Sequence, residues 1–96
     1  MATYLLVPTA KNAVQLDVAV CAKFDASNRF AVPNQAGWLV QFPGTTVEVS
    51  NHAGITGQGA GEISLVGSVI VTLVTSYYGR GSSEMWEWLK TRMEAG

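Results

Sequence analysis

The chain has 96 residues, enough for one core and no second domain, because a chain of this size buries only about 60–65% of its unfolded surface. With 48% hydrophobic and 14% charged residues it falls among globular proteins and outside the disordered class. Six basic and seven acidic residues, scattered singly for a net charge of -1, form no basic cluster, which disfavours both nucleic-acid binding and attachment to a membrane surface.

Residues 4–9 predict a short buried strand that Pro8 stops. Residues 12–24 fit two patterns. Val14, Leu16, Val18 and Val20 alternate as a strand would, whereas Leu16, Val20 and Phe24 recur at helical spacing. The length of the segment and Asn12 as N-cap favour a helix, which Asp25-Ala26-Ser27-Asn28 breaks. Residues 29–32 and 38–42 predict a β-hairpin around Pro33-Asn34-Gln35-Ala36-Gly37, ended by Pro43-Gly44.

Thr45 and Glu48 have the capping-box spacing, and Gly54 suits the position just past a helix end. Residues 46–53 are therefore expected to be helical although Val47 and Val49 are β-formers. Gly57-Gln58-Gly59-Ala60-Gly61 reads as a flexible loop. Residues 63–78 carry no charge but are too few for a membrane-spanning helix. Their β-branched content predicts a buried strand, strongest over 68–75. The last helix is expected over 84–93, with Met85, Trp86, Leu89 and Met93 on one face and Glu84, Glu87, Lys90 and Glu94 toward water. The order β-α-β-β-α-β-α predicts an α+β, ferredoxin-like split βαβ fold, an antiparallel sheet with helices on one face.

Four segments carry a resemblance: Gly37-Trp38-Leu39-Val40, Gly44-Thr45-Thr46-Val47-Glu48-Val49-Ser50, Ser76-Tyr77-Tyr78-Gly79-Arg80 and Trp86-Glu87-Trp88-Leu89-Lys90. Together they resemble a family of small uncharacterised bacterial proteins, some of which travel on mobile gene cassettes of the integron type. The resemblance covers most of the chain and is most specific at the Tyr-Tyr-Gly-Arg and Trp-Glu-Trp segments. It implies the ferredoxin-like arrangement and helices for the two ambiguous segments, and it brings no established activity. The loop at 57–61 is longer than the family pattern.

No motif points to catalysis, and no cofactor or metal is expected. The glycines of 57–61 precede a strand and lack the spacing and the Lys of a phosphate loop. Glu48 and His52 stand four apart, but two ligands do not make a metal site. Metal-dependent nucleases of the CRISPR-associated type, which share the ferredoxin-like fold, carry an acid at the end of the first strand, where this chain has Val7-Pro8-Thr9. Cys21, beside Val20 and near Phe24, is expected to be a buried, inert thiol. As the lone cysteine, and with no signal-peptide pattern at the N-terminus, it suggests a reducing cytoplasm.

The best physical case for a site lies at 77–83. Glycines flank Arg80, and Gly81-Ser82-Ser83 opens a helix whose free N–H groups attract anions. An anion site would draw on Tyr77, Tyr78, Arg80, Ser82 and Ser83. The competing account, which stands ahead of it, is a helix cap with both tyrosines packed on the sheet and Arg80 paired to an acid. Trp88 falls off the 85/89/93 stripe and is expected either to stack over Arg92 or to bury in a partner. Three Trp and three Tyr on a short chain point to self-association, most simply a homodimer, through such a surface or an exposed sheet edge. The sequence therefore supports two accounts: a self-associating, non-catalytic interaction module, or a small ligand-binding protein or enzyme working at 77–83.

Overall fold

Side chains along a strand point alternately to its two faces, and the first strand of this chain is apolar on both. The computed structural model describes residues 1–93. The elements are β1 (Ala2–Pro8), α1 (Ala13–Lys23), β2 (Arg29–Val32), β3 (Gly37–Phe42), α2 (Thr46–His52), β4 (Val69–Val74) and α3 (Ser83–Met93), with 3-10 turns at Ala26–Asn28 and Pro33–Gln35. The four strands form one antiparallel sheet in the order β2-β3-β1-β4. The architecture is α+β, and no helix among the described residues is long and apolar enough to cross a membrane.

Each face of the sheet has its own core. Tyr4 and Leu6 of β1 join Trp38 and Val40 of β3 against Leu16 and Val20 of α1 and Val49 of α2. Leu39, one step out of phase on β3, instead meets Trp88 and Leu89 of α3, with Leu5, Phe30 and Val74 packed around them. The expectation of helices on one face thus holds for α1 and α2 and fails for α3, which crosses to the opposite face. The reason lies in β1 and β3, where Leu5 and Leu39 need cover. Burying a side chain of that size is worth about 1.5–3 kcal/mol, and α3 is the element that supplies the cover.

The helices begin and end close to their expected limits, for reasons that differ. At α2 the capping box is complete: Glu48 N–H donates to Thr45 Oγ1 at 3.2 Å and Thr45 N–H donates to Glu48 Oε1 at 3.0 Å. Gly54, at φ 81°, ends the helix. These bonds and the full burial of Val49 outweigh the β-preference of the two valines. At α1, Asn12 makes no side-chain cap. Its amide turns inward, where Nδ2 donates to the carbonyls of Val66 (2.8 Å) and Ser68 (2.9 Å) and Oδ1 accepts from Ala10 N–H (3.1 Å).

Cys21 is exposed, contrary to the expectation of a buried thiol. Leu16 and Val20 occupy the inner face of α1, and a residue next to Val20 is turned about 100° away from it. The hairpin closes through left-handed Asn34 and Gln35. At Gly37 a Cβ would sit 2.3 Å from the Leu6 carbonyl oxygen, so only glycine lets β3 pass β1 there. The predicted buried strand is also corrected. Residues 63–68 are loop, Ile63 and Leu65 are 80% and 87% exposed, and β4 is an edge strand in which Ile70, Thr72 and Leu73 are exposed and Val69, Val71 and Val74 half-buried.

Candidate functional site

The helix that covers the second face does so incompletely. Between the sheet and the first half of α3 lies an open cavity of about 490 Å³. Its floor and walls are Leu5, Val32, Leu39, Met85 and Leu89, and the segment joining β4 to α3 brings Tyr77, Tyr78 and Arg80 to its rim. The Tyr77 ring packs on Trp86 with centroids 5.3 Å apart, forming an aromatic side wall. Tyr78 is fully exposed. Among the described residues Arg80 makes no hydrogen bond or ion pair, and no Asp or Glu lines the cavity.

The five residues singled out at 77–83 therefore divide. Tyr77, Tyr78 and Arg80 share the cavity, whereas Ser82 and Ser83 do not line it. Ser82 is the N-cap of α3: its Oγ accepts from Met85 N–H at 3.2 Å, and its carbonyl accepts from Trp86 N–H at 3.1 Å. Ser83 lies on another flank of the helix, in a shallow depression with Glu84 and Glu87. The helix start is thus satisfied by its own cap and flanked by acids, a poor place for an anion.

Trp88, the candidate interface residue, lies on the sheet-facing side of α3. It is buried inside its own chain at 9% exposure, against Phe30 with centroids 6.2 Å apart. Positions 85, 88 and 89 lie on one side of a helix at i, i+3 and i+4, so Trp88 belongs to the core stripe and Trp86 to its margin. The expected stack is present, with the Arg92 guanidinium carbon 4.5 Å from the ring centroid. Arg92 also donates to the Ser27 carbonyl, from Nε at 3.1 Å and from Nη2. The indole Nε1 of Trp88 is buried without a partner among the described residues. Glu94, expected to face water, lies outside the described residues.

The remaining candidates are occupied by structure. Glu48 is committed to the capping box. His52 Nε2 meets the Lys23 carbonyl at 2.8 Å while its ring packs on Phe24 and Phe42. No group of three or more His, Cys, Asp or Glu among the described residues could hold a metal ion.

Two surfaces lie outside the residues singled out in the sequence. Val14 and Val18, left outside once Leu16 and Val20 face inward, combine with Ile63 and Leu65 to line an apolar groove of about 590 Å³. Their strand-like alternation with Leu16 and Val20 was the available signal. The second is the outer edge of β4. Thr9 N–H donates to the Ser68 carbonyl at 3.0 Å, which sets the phase of the ladder. Ile70, Thr72 and Val74 direct their backbone groups to β1, and Val69, Val71 and Leu73 direct theirs outward. No charge and no proline interrupts Val69–Val74, so two of the usual defences of an edge strand are missing there. Comparisons with family models, with curated proteins and with solved structures return no match to this chain.

Proposed function

We propose that this chain is a non-catalytic interaction module that pairs with a second copy of itself, edge to edge through β4. The carrying observation is the uncharged outer edge of β4, where Val69, Val71 and Leu73 hold N–H and C=O groups with no strand beside them among the described residues. Antiparallel pairing of β4 with its two-fold copy would satisfy these groups and extend the sheet from four strands to eight. The sheet order and pairing support reading the fold as ferredoxin-like, with α3 added on the far face. The four segments that resemble cassette-borne bacterial proteins support an accessory role of that kind, and a lone cysteine supports a cytoplasmic setting.

Proline substitution separates pairing from folding. At Leu73 the N–H points outward, so Leu73→Pro removes a group the monomer does not use. At Thr72 the N–H belongs to the β1 ladder, so Thr72→Pro is expected to unfold the protein. Sedimentation at tens of micromolar, a range in which weak dimers form, is expected to give a dimer for the unaltered chain. Leu73→Pro should give a monomer with native circular dichroism. A monomer for the unaltered chain, or a dimer unchanged by Leu73→Pro, would rule out pairing through β4.

The cavity favours a second reading, a small-ligand-binding protein with its site at the β4–α3 corner. Convergence of Tyr77, Tyr78 and Arg80 on one mostly apolar cavity supports it, and the volume falls within the range of small-molecule sites.

A further inference from the structure

We infer that the cavity under α3 takes a small organic anion with an apolar body, a carboxylate or sulfonate on an aromatic or branched aliphatic group, whose charge is held by Arg80. The inference rests on the ligand-binding reading above and adds the class of ligand.

Three observations converge. Leu5, Val32, Leu39, Met85 and Leu89 offer an apolar interior, which rewards a ligand for removing hydrocarbon from water. Among the described residues that line it, Arg80 is the only charged one. The acids nearest to it in sequence, Glu84 and Glu87, line the separate depression on the other flank of α3. In a chain of net charge -1, a guanidinium that pairs with no acid among the described residues, at the mouth of a cavity that no described Asp or Glu lines, is the complement of a single negative head. Its planar fork matches a carboxylate or sulfonate in two-point geometry. A di- or triphosphate would need further cations, and the described residues lining the cavity supply none.

Hydroxyls at the rim, from Thr72, Thr75, Ser76 and Tyr78, give the head further partners. The helix N-terminus plays no part, because Ser82 already caps it.

The matched probes are naphthalene-2-carboxylate and its neutral carboxamide, with acetate as the head without the body, titrated into the full chain and followed by amide chemical shifts. Shifts are expected around Leu5, Leu39, Thr72 and Leu89, with the carboxylate binding roughly five- to tenfold more tightly than the carboxamide, the range for a partly exposed charge-assisted contact. Acetate should leave these amides unmoved. Arg80→Gln should remove the preference for the carboxylate. Thr72→Trp, which fills the cavity from an exposed position, should abolish both, with circular dichroism confirming the fold.

Equal binding of the two naphthalenes at the cavity would overturn the anion assignment and leave the ligand-binding reading standing. Shifts confined to Val14, Val18, Ile63 and Leu65, or no shifts with either probe, would overturn both.

Discussion

Asn12 joins parts of the chain 54 and 56 positions apart, its amide donating to the carbonyls of Val66 and Ser68. The side chain is buried and both amide hydrogens are used, so truncation strands acceptors rather than only removing a contact. Asn12→Ala is expected to destabilise the protein by about 2–3 kcal/mol, measured by urea unfolding with tryptophan fluorescence. Asn12→Asp, which keeps the shape but loses both donors, should be at least as damaging; a loss under about 0.5 kcal/mol for either, the level of a neutral surface change, would remove this role. Sequence position suggested a helix cap because the partners of Asn12 arrive from a distant loop that no local pattern announces. Cys21 and Trp88 were misplaced for a related reason. Their burial was inferred from neighbours in sequence and from a stripe drawn too narrowly, whereas burial follows the angle around the helix, which puts Cys21 outside and Trp88 inside.

The second helix was legible because both of its ends are written in short-range chemistry. Thr45, Glu48 and Gly54 fix its limits whatever lies around them, and Val49 then reaches the core. Thr45→Ala breaks one half of the capping box and is expected to lower stability by about 1 kcal/mol. For a domain of this size that is a fall in Tm of about 4–8 °C, readable by calorimetry; an unchanged Tm would mean that the cap is idle and that packing of Val49 alone holds α2. The fourth strand was legible as a strand but not as an edge. Val69-Ile70-Val71-Thr72-Leu73-Val74 has the composition of a buried strand, and only the assembled sheet shows that β1 lies on one side and, among the described residues, no strand on the other. Likewise the periodicity of α3 gave its helical state, whereas the face it covers depends on the out-of-phase leucines of β1 and β3. Of the candidate site, the corner of Tyr77, Tyr78 and Arg80 was visible as a turn chemistry, and its apolar floor was not, because that floor comes from three strands.

At the scale of the molecule, the order of elements was readable from end to end, and their distribution over two faces was not. The first core draws on all the strands but β2 and on two helices, whereas the second is closed by α3 alone around Leu39, Trp88 and Leu89. Native-state hydrogen exchange is therefore expected to show α3 opening at a lower free energy than β1 and β3. Equal protection across the three would make the domain a single cooperative unit. Ribosomal synthesis adds an order in time, since every strand and both helices of the first core emerge before α3. The nascent sheet can close while its back, carrying Leu5, Phe30, Leu39 and Val74, is still bare, and α3 then seals it. During that interval the growing chain presents an apolar sheet face together with an unguarded edge, the combination on which neighbouring nascent chains associate. A message truncated before Ser83 would leave its product in that state for good.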